Sequence, residues 1–167
     1  MLDLAVLTVL PGAVAFAAAM DLLTMKIPNR ISAVMVLAFF PLALLLGLGA
    51  WDILNHVAAG LGVLALGVLL FIPGWLGGGD AKLMAAIALW IGPDALIPYF
   101  IYAAMTGGFI AMAFSLGRSV PLPRLLLSEG WALRLHRQDA GIPYGLALAA
   151  GALMVYPHTV WFTGVAH

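Results

Sequence analysis

Leu76-Gly77-Gly78-Gly79-Asp80-Ala81-Lys82-Leu83 sets an acid behind three glycines in an otherwise apolar run. Placing Asp at the centre of a bilayer costs about 2.5 to 3.5 kcal/mol on insertion scales, so an acid in such surroundings is read first as functional. The glycines supply a way to hold it. Without Cβ atoms, Gly77, Gly78 and Gly79 can take positive φ and let another backbone approach, which suits an irregular strand or turn lying against Asp80. Residues 81–90 then read as helix, ended by Gly92-Pro93. Such a helix is about 15 Å long against a hydrocarbon core of ~30 Å, so either Asp80 is recessed into the membrane or the helix continues through Pro93. The plainer alternative for the stretch is a glycine-rich loop with a solvated Asp.

Composition fixes the setting. The 167 residues are 65% hydrophobic and only 8% charged, far from the ~25% charged content of soluble domains. The expected fold is an all-α polytopic membrane protein, a single domain over residues 1–167 with about six spans and no separate soluble domain. Net charge is zero, so no overall field points to nucleic acid. With no cysteine in the chain, a disulfide framework, a Cys-ligated zinc site and a thiol nucleophile are all excluded.

Spans are expected at about 4–23, 31–48, 53–72, 81–91, 97–116 and 142–162. Ala17-Ala18-Ala19 is not read as a signal-peptidase site, because Lys26 and Arg30 follow the first apolar run instead of preceding it. Lys26, Arg30, Lys82, Arg118, Arg124, Arg134 and Arg137 all fall in odd-numbered connections, whereas the even ones offer Asp52, His56 and Asp94. The positive-inside rule therefore puts both termini outside and Asp80 at the cytoplasmic face. The fifth connection, 118–141, is long and apolar through Leu125, Leu126, Leu127, Trp131, Leu133 and Leu135. It is suited to lie at the interface as a flap, although its leucines do not form one clean face.

A second acid stands at the end of the first span, in Asp21-Leu22-Leu23-Thr24-Met25-Lys26-Ile27-Pro28-Asn29. Pro28 stops the helix and makes Ile27 extended, so Asp21 lies about a turn and a half inside the same face as Asp80. Other chemistry finds little support. Ser115 and Ser119 have no paired base, and His136, His158 and His167 form no ligand spacing. Asp52 and His56 share a helix face at i, i+4, which is more often a solvated turn than a metal site, so no metal and no cofactor is expected.

These residues carry a resemblance. Asp21 with Lys26-Ile27-Pro28-Asn29, then Gly77-Gly78-Gly79-Asp80-Ala81-Lys82, and then Pro143-Tyr144-Gly145 at the start of the last span resemble, in order, the motifs of the type IV prepilin peptidases. These are intramembrane aspartyl proteases of the Gly-x-Gly-Asp class. The chain lacks the cysteine-bearing N-terminal region of the larger bifunctional members, and Thr24-Met25 replaces the usual arginine of the first motif. It is most similar to the short, peptidase-only branch of tight-adherence (Flp/Cpa) pilus systems, without N-methyltransferase activity.

The resemblance implies an aspartic endopeptidase of the bacterial inner membrane. It would remove a short basic leader from prepilins at the cytoplasmic face, just before their hydrophobic helix. Asp21 and Asp80 are then catalytic. Gly77, Gly78, Gly79, Lys82, Lys26, Pro28, Asn29, Pro143, Tyr144 and Gly145 support them, and the partners are the prepilin and the lipid bilayer. Two carboxylates about 4 Å apart repel by ~4 kcal/mol at an effective dielectric near 20, so near neutrality such a pair shares one proton. Helix ends suggest Asp80, at a helix N-terminus, as base and Asp21, near a C-terminus, as acid. The rival reading is a small transporter or channel component using both acids as a proton or cation path.

Overall fold

The apolar run after Asp80 forms a 14-residue helix, Gly78–Ile91, and Gly92 stops it. Gly92 has φ +74°, and a Cβ there would lie 2.8 Å from the His56 ring, so no other residue fits both the backbone and the neighbour. The helix does not run on through Pro93.

The computed structural model describes residues 2–123, 127–137 and 140–164. Arg124, Leu125, Leu126 and His167, which entered the topology, flap and ligand arguments, lie outside the described residues. In chain order the helices are α1 (Leu2–Thr24), α2 (Asn29–Leu45), α3 (Ala50–Phe71), α4 (Gly78–Ile91), α5 (Leu96–Gly117), α6 (Gly130–His136), α7 (Tyr144–Val155) and α8 (Val160–Thr163). Single 3-10 turns lie at Pro93–Ala95 and Tyr156–His158, and no strand occurs among the described residues. Ala5–Thr24, Ala50–Phe71 and Pro93–Gly117 are long and apolar enough to cross a membrane, and α2 is a shorter apolar helix.

α4 is the central element: every residue from Leu83 to Ile91 is buried, and α2, α3 and α7 pack around it. In a membrane, where lipid is as apolar as leucine, helices associate through close backbone approach at small residues. Gly60 and Gly67 of α3 provide it. A Cβ on Gly60 would lie 3.1 Å from the Leu89 Cβ, and one on Gly67 would lie 2.9 Å from the Ala81 Cβ. α7 is held between α1 and α5 in the same manner. Gly151 meets the Tyr99–Ala103 turn of α5, where an added Cβ would be 2.9 Å from the Ala103 nitrogen.

Far from Asp80, an aromatic knot closes the bundle. Trp90 Nε1–H donates to the Met35 carbonyl at 2.9 Å and Trp161 Nε1–H donates to the Trp90 carbonyl. Phe39, Trp90 and Trp161 pack ring against ring. Two expectations change here. The sixth apolar stretch is not one helix, because Pro157 breaks it into α7, a turn and α8, which lets Trp161 fold back into the core. His56 is not on a solvated turn but buried, its Nδ1–H donating to the Leu89 carbonyl at 2.8 Å.

The packing makes a direct prediction. Gly67→Leu should destabilise the protein by about 1 to 3 kcal/mol, as overpacking of tight contacts does, lowering Tm in detergent. Gly62→Leu on the same helix should leave Tm unchanged or higher, because nothing lies within 4 Å of a Cβ at Gly62.

Candidate active site

Asp21 lies in the last turn of α1 and is 6% exposed. Its Oδ2 accepts a hydrogen bond from the Gly145 N–H at 2.7 Å. Gly145 is the second residue of α7, so this N–H is one of the four that a helix start leaves without an intrahelical partner. Asp21 caps α7 from another helix. The contact demands glycine, since a Cβ at position 145 would lie 2.9 Å from both the Cβ and the Oδ2 of Asp21. Pro143, fully buried, sits at the N-cap with φ −72° and starts α7 at this point.

Asp80 is the third residue of α4 and half-buried. The N–H of Gly77, the N-cap residue, donates to its carboxylate. A Cβ on Gly77 would stand 2.6 Å from Asp80 Oδ2. None of the three glycines takes positive φ: Gly77 has φ −70°, and Gly78 and Gly79 are already helical. Their value is close approach, not backbone freedom. Gly78 lies under the Phe71 ring and Gly79 against Ile27, at 3.4 Å and 3.2 Å from where a Cβ would be.

The Ile27–Gly79 contact brings the two acid-bearing segments together. Asp21, Met25, Lys26, Ile27, Gly77, Gly78, Gly79 and Asp80 line one cavity of about 340 Å³, and the carboxylates of Asp21 and Asp80 interact electrostatically across it. The turn that closes the cavity is strained. Met25 has φ +56°, the left-handed position after a helix that normally belongs to glycine or asparagine. Its N–H still bonds the Asp21 carbonyl at 2.7 Å. Nothing in the composition of Thr24-Met25-Lys26 announces that conformation.

The remaining residues named from sequence are dispersed. Lys82 Nζ donates to Asn29 Oδ1 at 3.0 Å, and both line a separate apolar recess of about 620 Å³ bordered by α2, α3 and α4. Pro28 is the N-cap of α2, with ψ 130°. Tyr144 is exposed, with its ring against Gly107 of α5. Asp52, Asn55, His56 and Asp94 line another recess, of about 590 Å³. Among the described residues no three His, Asp or Glu side chains are placed to hold one metal ion.

Two arginines counted only for topology prove to bind backbone. Arg134 donates to the Leu23 carbonyl at 3.0 Å, capping the end of α1 close to Asp21. Arg118 donates from Nε to the Leu135 carbonyl and from a terminal nitrogen to the Gly141 carbonyl, both at 2.9 Å. They tie α6 and the approach to α7 to the end of the bundle that carries the carboxylates. The helix-end argument for telling the acids apart also changes. Asp21 is near the C-terminus of its own helix but accepts from the first turn of α7, so both carboxylates face helix N-termini and the dipoles do not discriminate.

No curated protein and no solved structure matches the chain. The model of the type IV leader peptidase family matches residues 8–112, a range that holds Asp21, the three glycines and Asp80 and ends before Gly145. With more than half of its length matched, the chain belongs to the type IV leader peptidase family.

Proposed function

We propose that this prepilin leader peptidase is an aspartic endopeptidase whose catalytic pair is Asp21 and Asp80. The observation that carries the reading is the shared cavity: two carboxylates from different helices line it, each accepting one backbone N–H, from Gly145 and Gly77 respectively. With one proton between them, the ionised carboxylate takes a proton from water as that water attacks the scissile carbonyl. The protonated one donates toward the carbonyl oxygen. Proton positions then exchange as the tetrahedral intermediate collapses and the new N-terminus leaves.

We extend the proposal to the setting. α1, α2, α3, α4, α5 and the α7–α8 unit are six spans of a bacterial inner-membrane protein, with both termini outside and the Asp21–Asp80 cavity cytoplasmic. The substrate is a Flp-type prepilin, cut between its basic leader and its hydrophobic helix. Cleavage proceeds without methyl transfer, a reading supported by the absence of cysteine from these 167 residues.

Asp21→Asn and Asp80→Asn keep the shape of each carboxylate and remove its proton chemistry. Each should lower the rate of prepilin cleavage by at least about a thousand-fold, with the double variant no worse, as groups acting as a unit behave. Gly145→Ala, which pushes on Asp21, should cost about a hundred-fold. Near-normal processing by either Asn variant, measured by mass spectrometry of the pilin N-terminus below saturation, would remove that residue from the chemistry.

The pH profile should be bell-shaped. The active pair carries one proton, so activity rises with pH through the first ionisation and falls through the second. Lys26 lines the cavity and favours the doubly ionised pair, so Lys26→Met should move the alkaline limb upward by roughly half a pH unit. Lys82→Met should leave that limb in place, because the Lys82 ammonium is engaged with Asn29 in the other recess. Initial rates across the neutral range, with chemistry rate-limiting, check both.

A further inference from the structure

The recess bordered by α2, α3 and α4 is apolar along its length and polar at one end. Gly60, Ala85 and Ala86, buried and without side-chain atoms beyond Cβ, lie at its base. α2 and α3 both pack on α4 and leave about 620 Å³ between them, a volume in the range that bound ligands fill. The recess shares no lining residue with the carboxylate cavity, so the catalytic reading makes no use of it.

Three features of its polar end are left without a suitable partner. Lys82 is the one charged residue that lines the recess, and no Asp or Glu lines it. The ammonium has three donors, of which the bond to the neutral Asn29 amide at 3.0 Å occupies one. α2 starts at Asn29, behind Pro28, with no side-chain cap and no acid in its first turn. Its first N–H groups and the positive end of its dipole therefore have no anion to meet. Ser32, one turn further along α2, lines the same recess and is 7% exposed, and its hydroxyl has no hydrogen-bond partner. Desolvating an O–H and leaving it unpaired opposes folding, so a ligand group that pairs with it is favoured.

We propose that this recess binds one anionic phospholipid: the phosphate at Lys82, Asn29 and the start of α2, the glycerol ester at Ser32, and an acyl chain along Leu37, Phe40 and Leu61. The order of groups along α2 is the order of groups in the lipid. At 1.5 Å per residue, Ser32 lies about 4.5 Å and Phe40 about 16 Å deeper than Asn29. A free phosphate meets only the first of these stations and leaves the apolar length uncovered. A basic leader peptide brings like charge to Lys82. Basic pockets between membrane helices recognise lipid headgroups on this principle. The bound lipid then joins the start of α2 to the first turns of α4.

The test uses the purified protein, delipidated in a non-ionic detergent. The probes are dioleoyl phosphatidylglycerol, dioleoyl phosphatidylcholine and inorganic phosphate, read by native mass spectrometry and by Tm. The expected result is retention of one phosphatidylglycerol with a raised Tm, retention of phosphatidylcholine weaker by roughly ten-fold, and no effect of inorganic phosphate. Lys82→Met should weaken phosphatidylglycerol retention by roughly five-fold to ten-fold. Ala33→Trp, which fills the recess from an exposed position on α2, should abolish it. Arg30→Met, at an exposed residue outside the recess, should leave it unchanged. Equal retention of the two lipids by the parent overturns the proposal, as does full retention by Ala33→Trp. Equal losses in Lys82→Met and Arg30→Met would show a diffuse surface attraction and overturn it too. A Tm rise with inorganic phosphate equal to that with the lipid would leave an anion site without a chain. Displacement of the lipid by an equimolar prepilin would make the recess a substrate groove, and either result ends the lipid assignment.

Discussion

Two carboxyl groups must be brought into one small cavity inside an apolar bundle, and the missing Cβ atoms at Gly77, Gly79 and Gly145 allow it. Gly145 lets the start of α7 reach Asp21 at hydrogen-bond distance, and Gly77 lets its own N–H turn back on Asp80. Gly79 lets the turn after α1 lie against α4. Each contact has less room than a methyl group needs. The repulsion between the carboxylates is offset by backbone donors that the helix starts would otherwise leave unpaired. The arrangement thus satisfies three obligations at once: it caps two helices, holds two acids and joins the chain segments that bear them.

The rest of the bundle serves as the rigid side of this device. α4 is short, buried from Leu83 to Ile91, and pinned at its far end by the Trp90–Trp161 pair, the His56–Leu89 hydrogen bond and Gly92. Asp80 therefore projects from an element that has little freedom to shift. That same apolar run separates the carboxylate cavity from the recess at Asp52 and Asp94. A conducting path needs polar groups in succession across the bilayer, so this arrangement favours a site that acts at one end over a path that crosses.

Much of this was legible in the sequence because it rested on composition, spacing and breakers. The apolar content and Gly92-Pro93 located the helices, and the acids at 21 and 80 were unusual enough in hydrocarbon to mark themselves. The glycines were read as offering both positive φ and close approach of another backbone, and only the close approach is used; residue identity alone does not separate the two. Contacts across more than a hundred residues, Gly145 on Asp21 and Arg134 on Leu23, depend on tertiary packing that no local pattern encodes. Lys82 and Asn29 stand beside the motif residues in sequence and face another recess, because positions two apart on α4 point to opposite sides.

The convergence of Asp21 and Asp80 is the claim on which the rest depends, and the chain's lack of native cysteine makes it directly measurable. In an Asp21→Cys, Asp80→Cys variant, a short bifunctional methanethiosulfonate should join the two positions, detected by mass spectrometry of the linked peptides. An Asp21→Cys, Asp52→Cys pair, whose second position lies in the recess lined with Asp94, should give none. Failure of the 21–80 pair to link, while each thiol labels singly, would contradict the account, as would equal linking of the 21–52 pair.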